Sequence, residues 1–359
     1  TFKDIEMDGV AEVDGLHHAV SVVVSPDGRH VYTAGYDADA VVVFSRSNST
    51  GALSIRKVHS NGKEGIGGIN GVRSVAVSPD GKHLYAAGEK DNALAVFSRD
   101  SSTGDLTFVE KIKDGVNGVD GLHAVRSVAV SHDGKNIYAA AYWDDSVAVF
   151  SRDASTGALT FVEAHKDGKN GVDGLYHAVS VVASPDGEHV YAAAAGYGEN
   201  AVVVFERDSS TGALTFVEKI KDGVNGVDGL HAVRSVAVSH DGKNIYAAAY
   251  WDDSVAVFSR DASTGALTFV EAHKDGKNGV DGLYHAVSVV ASPDGEHVYA
   301  AAAGYGENAV VVFERDSSTG ALTFREAHKD DEKGVDGLQG VGSVAVSPDS
   351  NHVYAAGYG

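Results

Sequence analysis

The chain has 359 residues, 43% hydrophobic and 22% charged, and its 50 Asp and Glu against 29 Lys and Arg give a formal charge of −21. Nucleic acid and anionic membrane surfaces are excluded as partners, because both are bound through Lys and Arg, and no apolar run approaches the roughly 18 residues needed for membrane insertion as a helix. Cysteine is absent, which excludes disulfides, thiolate metal sites and cysteine nucleophiles.

In chain order, the opening stretch "TFKDIEMDGVAEVDGL" aligns with "TFVEAHKDGKNGVDGL" at Thr160 and reads as the closing strand of a unit. Whole units follow, and the one from Val125 is representative. "VRSVAVS" alternates and is rich in Val, "NIYAAAY" follows a tight turn at "HDGK", "SVAVFSR" alternates again, and "STGALTFVEAHK" runs from a turn into a strand. Gly, Asp, Asn and Ser clusters separate these pieces, and nothing keeps helical spacing over about ten residues. The "SPDG" or "SHDG" anchor places its Asp at Asp27, Asp80, Asp133, Asp186, Asp241, Asp294 and Asp349, at intervals of 53 to 55 residues. The chain ends on "SVAVSPDSNHVYAAGYG", which supplies a first and a second strand.

Seven anchors at a near-constant period, with four short strands each, predict an all-β fold: one domain over residues 1–359, a seven-bladed β-propeller of four-stranded antiparallel blades. Pieces such as "AVVVF" are apolar on both faces, as blades sandwiched between neighbours require. Seven units of these lengths need 375 residues, 16 more than the chain has. The last blade is therefore expected to be shared by both termini and to lack its third strand here: either the sequence is incomplete, or the blade is short and leaves an open edge through which the protein could oligomerise.

The loops leading into each first strand, and those from second to third strand, share one face, the expected ligand face. A ring of mostly polar residues (His17, Asn70, His123, Tyr176, His231, Tyr284 and Gln339) is expected at the channel mouth, with His17 and His18 as an alternative metal pair. Trp143 and Trp251, beside Asp144, Asp145, Asp252 and Asp253, suggest platforms for a sugar ring, and Tyr197, Glu199, Tyr305 and Glu307 offer similar chemistry in the intervening units. His123 and His231 join them as ligand-binding candidates. Asp114, Asn117 and Asp120, repeated as Asp222, Asn225 and Asp228, are oxygen donors on Gly-rich loops, and calcium is the one cofactor they suggest; ordinary turns are the alternative. Arg73, Arg126 and Arg234 open three first strands. The "SPDG" and "SRDSSTG" segments of the opposite face read as plain turns.

The motifs "SPDGKHLYAAG" and "SVAVFSR" followed by "STGALTF" make the chain resemble the lactonase-type seven-bladed β-propellers with YVTN-like repeats, over essentially its whole length. That resemblance implies a lactone-hydrolysing enzyme with one site at the channel mouth, where a basic residue such as Arg73, Arg126 or Arg234 binds phosphate or carboxylate. The repeat itself argues otherwise. Residues 106–216 recur without mismatch at 214–324, so whatever one copy places is placed again. The expectation from the sequence is thus a non-enzymatic, secreted or cell-surface propeller that binds glycans or another protein through repeated loops, with lactone hydrolysis and a purely structural role as alternatives.

Overall fold

The computed structural model describes residues 2–9, 14–196, 198–304 and 306–358. Six four-stranded antiparallel sheets follow one another along the chain, each a simple meander: 19–60, 72–113, 125–166, 178–221, 233–274 and 286–329, here blades 1 to 6. The first strands, from Ala19–Val24 to Ala286–Ala291, lie innermost and pack side by side. A two-stranded sheet, Ser343–Val346 with Val353–Ala356, closes the ring between blade 6 and blade 1. The all-β propeller of four-stranded blades is as expected. Full blades number six rather than seven, and residues 2–8 form no strand although they were expected to close the last blade. A strand needs a hydrogen-bonding neighbour, and the sheet they would extend stops at its second strand.

Sequence position predicts depth within each blade. Third strands such as Ala93–Arg99, "ALAVFSR", bury both faces up to Phe97, because they sit mid-sheet between two neighbouring blades. Outermost fourth strands such as Leu106–Lys113, "LTFVEKIK", alternate buried and exposed, because one set of side chains reaches solvent. The apolar core is consequently a set of clusters lying between blades. One packs Tyr32, Val41 and Val43 of blade 1 against Leu84, Ala95 and Phe97 of blade 2. Each fully buried Phe of this kind contributes roughly 1.5–3 kcal/mol.

The turns on the face away from the ligand loops latch the blades together. Arg99, ending the third strand of blade 2, reaches back to blade 1. Its Nη2 lies 2.9 Å from Asp27 Oδ2, its Nε donates to the Tyr32 hydroxyl at 2.6 Å, and His30 Nδ1 lies 2.9 Å from Nη2. The Tyr32 hydroxyl donates in turn to Gly104 O. Arg152, Arg207, Arg260 and Arg315 repeat the contact on Asp80, Asp133, Asp186 and Asp241, and Arg46 of blade 1 makes it to Asp349. The "SPDG" anchors are therefore arginine receptors as well as turns.

Candidate functional site

In blades 1 to 6 the second residue of the first strand is the extra residue of a β-bulge. In blade 2, Val72 pairs with Gly88 and Ser74 with Ala87, so Arg73 is the extra residue. Arg126 and Arg234 occupy the same bulge in blades 3 and 5. A bulge re-aims one side chain without ending the sheet. Here the three guanidiniums come close enough for Arg73 and Arg126 to act on Arg234 by their charge.

Glu89 follows the second strand of blade 2, where blades 1, 3 and 5 carry Tyr36, Tyr142 and Tyr250. It is 9% exposed. Its Oε1 accepts from Arg126 Nε at 2.9 Å, and its Oε2 accepts from Arg73 Nε. Burial alone would raise its carboxyl, but Arg73 and then Arg126 outweigh burial and hold it below the usual range. Glu89 is ionised at neutral pH and is a weak base, because two cations share its charge.

Arg234 lies in a stretch identical to that of Arg126, yet among the described residues no carboxylate pairs with it, and its buried Nε has no hydrogen-bond partner. Burial and the nearby charge of Arg126 pull it below the ordinary arginine value. The difference comes from the neighbouring blade. Blade 2 offers Arg126 a glutamate, whereas blade 4 has Ala195 at that point. Aromatic rings floor the cluster: Arg73 lies over Tyr36 at 4.5 Å, Arg126 over Tyr142 at 3.6 Å and Arg234 over Tyr250 at 5.3 Å. Tyr142 continues into a stack with His177 at 4.0 Å and Tyr176 beyond it at 4.2 Å. Burial, aided by Arg126, pushes His177 below the usual imidazole value.

On the other side of Arg73, Tyr36 meets the edge of His18 at 5.3 Å. His18 Nδ1 lies 2.8 Å from Asp37 Oδ2, while its buried Nε2 has no partner among the described residues. Tyr358 lies against the same ring at 3.8 Å. The hydrogen bond from His18 lowers the Asp37 carboxyl. A histidine whose one nitrogen is held by a carboxylate and whose other is unengaged has the composition of a proton acceptor.

The residues singled out from the sequence fall elsewhere. Trp143 and Trp251 are 59% and 58% exposed, and each stands edge-on to the tyrosine before it. The aspartates beside them hold loops in place. Asp144 accepts from His123 N at 2.9 Å and Asp145 from His177 N at 2.7 Å; Asp252 and Asp253 do the same for His231 and His285. Glu199 pairs with Lys219, and Glu307 lies 3.8 Å from Lys329. His123 and His231 are exposed at the loop surface, while Tyr197 and Tyr305 lie outside the described residues. Asp114, Asp120 and Asp144 converge, as do Asp222, Asp228 and Asp252. In each cluster a lysine ammonium already sits on the acids, with Lys166 Nζ 2.7 Å from Asp120 and Lys274 Nζ 2.7 Å from Asp228. Asn117 and Asn225 are outside both clusters and take left-handed turn conformations at φ 53°.

Of the expected polar ring, His17 and His123 are exposed, and the following position is the more buried one, as His18 and His177. That position is left-handed, at φ 58° and 57°. One signal in the sequence marked the site, namely a charged residue, Glu89, at a position that is Tyr in blades 1, 3 and 5 and Ala in blades 4 and 6.

The model of the family described as "Lactonase, 7-bladed beta-propeller" matches residues 4–171 and 166–283. An uncharacterized protein of Staphylococcus epidermidis is 30% identical over 151 residues, 42% of this chain and 41% of its own length. A 6-phosphogluconolactonase of Formosa agariphila is 33% identical over 92 residues, 25% of this chain and 24% of its own. The chain thus spans less than half the length of these curated relatives. The periplasmic gluconolactonase of Pseudomonas aeruginosa superposes with a TM-score of 0.70 over 98% of this chain and 90% of its own, at 18% identity, which is a likeness of fold. These matches overturn the expectation of a non-enzymatic glycan-binding or scaffold module. The argument from recurrence failed because it treated copied blades as equivalent, whereas each copy's site depends on the blade beside it.

Proposed function

The chain belongs to the lactonase family of seven-bladed β-propellers, and from that premise we propose that it hydrolyses an anionic sugar-acid lactone at one site in the channel mouth. In this reading the two-stranded sheet is what the chain supplies of a seventh blade. The observation that carries the proposal is the arginine cluster. Three guanidiniums cluster inside a chain of net charge −21, and only two of them are paired to the carboxylate of Glu89. An excess of cation in so acidic a protein suits a substrate carrying phosphate or carboxylate. The relatives named for gluconolactones, one of them phosphorylated, are of the same chemical class.

The chemistry follows from the groups present. Arg234, with no carboxylate of its own, takes the anionic group or the carbonyl oxygen. Glu89 fixes Arg73 and Arg126 so that their remaining N–H groups face the developing oxyanion without reorganising. His18, oriented by Asp37, removes a proton from the attacking water once the site opens enough for water to reach its buried Nε2. The tetrahedral intermediate then expels the ring oxygen, which takes a proton to leave a hydroxy acid. The test is to follow hydrolysis of 6-phosphoglucono-δ-lactone and glucono-δ-lactone by proton release, for the wild type and Arg234→Ala. Turnover of the phosphorylated lactone, with a KM raised about tenfold or more by the variant, supports the reading. No turnover of either above the spontaneous rate overturns it.

A further inference from the structure

The chain's two tryptophans, Trp143 and Trp251, sit in copies of one stretch, on the loop from second to third strand of blades 3 and 5. Their surroundings match closely. Trp143 stands 4.8 Å from Tyr142 and 5.4 Å from His177, and Trp251 stands 4.8 Å from Tyr250 and 5.3 Å from His285, each nearly perpendicular to both rings. Each tyrosine stacks on its histidine at 4.0 Å. The same backbone bond fixes both loops: Trp143 N donates to His123 O and Trp251 N to His231 O, each at 3.1 Å. Both indoles remain more than half exposed. Exposure by itself says little, because single apolar side chains are common on protein surfaces.

What separates the two is the arginine beside each. Arg126 lies over Tyr142 at 3.6 Å and is tied to Glu89. Arg234 lies over Tyr250 at 5.3 Å, and among the described residues no carboxylate pairs with it and its buried Nε has no hydrogen-bond partner. Tyr250 therefore has as neighbours both an exposed indole and a guanidinium with hydrogen-bonding capacity still uncommitted. Trp251 stands outside the arginine cluster but shares this ring with it. An anionic sugar-acid lactone offers two features to recognise: its anion, and a ring whose C–H groups make an apolar face. A guanidinium fits the first through charge-assisted hydrogen bonds, and an indole fits the second through contact with a flat aromatic surface. At Trp143 the indole is present but the arginine is engaged. At Trp251 both are available.

We propose that Trp251 is a specificity-determining residue that receives the sugar ring of the lactone whose anion Arg234 holds, and that Trp143, its copy, takes no part. This rests on the reading of the chain as a lactone hydrolase and gives that one site a face for the ring. Arg234 then selects for charge and Trp251 for the ring, so a small aliphatic lactone carrying the same charge is a poor substrate.

Because the chain holds two tryptophans, each Trp→Phe variant leaves one reporter. Trp143→Phe and Trp251→Phe are titrated with 6-phosphogluconate, the product of the proposed reaction, while indole emission is followed. Both are also assayed on 6-phosphoglucono-δ-lactone and glucono-δ-lactone. A saturable emission change is expected in Trp143→Phe, where Trp251 remains, and none in Trp251→Phe. In Trp251→Phe KM should rise about tenfold for both lactones with kcat within about twofold; in Trp143→Phe both constants should stay within about twofold. Phe keeps a ring at these exposed positions, so both variants are expected to fold. Equal changes in the two variants, or an unchanged KM in Trp251→Phe while the wild type turns over, overturn the assignment. A wild type that turns over neither lactone, but in which 6-phosphogluconate still perturbs Trp251 alone, would remove the catalytic reading and leave the ring site standing. Silence of both tryptophans toward 6-phosphogluconate overturns the ring site.

Discussion

Arg126 Nε lies 2.9 Å from Glu89 Oε1, while Arg234, in an identical stretch of sequence, has no carboxylate partner among the described residues. Two copied arginines therefore take different parts. Arg126→Ala should strip Glu89 of one of its two cations and lower kcat for the lactone about 100-fold, the scale of losing one preorganised donor. Arg234→Ala should act mainly on KM, and only for substrates carrying an anion. Steady-state kinetics on phosphorylated and neutral lactones would separate the two; equal effects of both variants on both substrates would contradict the assigned roles.

Asp37 holds His18 by its Nδ1. His18→Gln is expected to lower kcat about 100-fold or more, and KM for the lactone should stay within about twofold. Asp37→Asn should lower kcat less, since the amide still orients the ring but no longer stabilises an imidazolium. A kcat in His18→Gln within a few-fold of the wild type would remove His18 from the role of base.

The latches predict an unequal response to one substitution. Arg152 is almost wholly buried and pairs with Asp80. Asp80→Asn leaves that guanidinium uncompensated and should cost about 3 kcal/mol, the scale of breaking a buried ion pair. Asp294→Asn, at the junction without an arginine, should cost less than about 0.5 kcal/mol. Denaturant unfolding of the two variants measures the contrast, and similar losses would show that Asp294 has a partner of its own.

His59 is 2% exposed, and burial pushes its imidazole down to about 4. Its folded pKa lies below the unfolded value of about 6.5, so the unfolded chain binds the extra proton. Stability is intact above pH 6.5 and falls as pH drops toward 4, by about 3 kcal/mol for this residue alone. His30, His83 and His189, also lowered by burial and then by a latch arginine, add to the fall. Melting of His59→Gln across this range should show a shallower slope than the wild type.

Lys166 bridges Asp120 and Asp144 at 2.7 and 3.1 Å, in the place a divalent cation would take. Millimolar calcium is accordingly expected to leave Tm unchanged, and Lys166→Ala to make Tm respond to calcium. A calcium-dependent rise in the wild type would reverse that assignment.

The sequence by itself determined the repeat, the four strands of each unit and their depth in the blade, because apolar alternation and turn residues act locally. Strands apolar on both faces became the sandwiched third strands, and "LTFVEKIK" became an alternating outer strand. It also carried the arginines, and in Glu89 the one carboxylate at a position that is otherwise Tyr or Ala in blades 1 to 6. What it could not disclose was which side chains would meet across blades. Asp27 looked like a turn residue until Arg99, 72 positions later, came to lie against it. Trp143 and its aspartates read as a binding platform from the sequence, and only the structure shows that Asp144 and Asp145 also hold neighbouring loops through His123 N and His177 N. The site lies at contacts between blades, so it is decided by which blade stands beside which. Closing the ring makes that choice, and it turns identical copies such as Arg126 and Arg234 into different chemical groups.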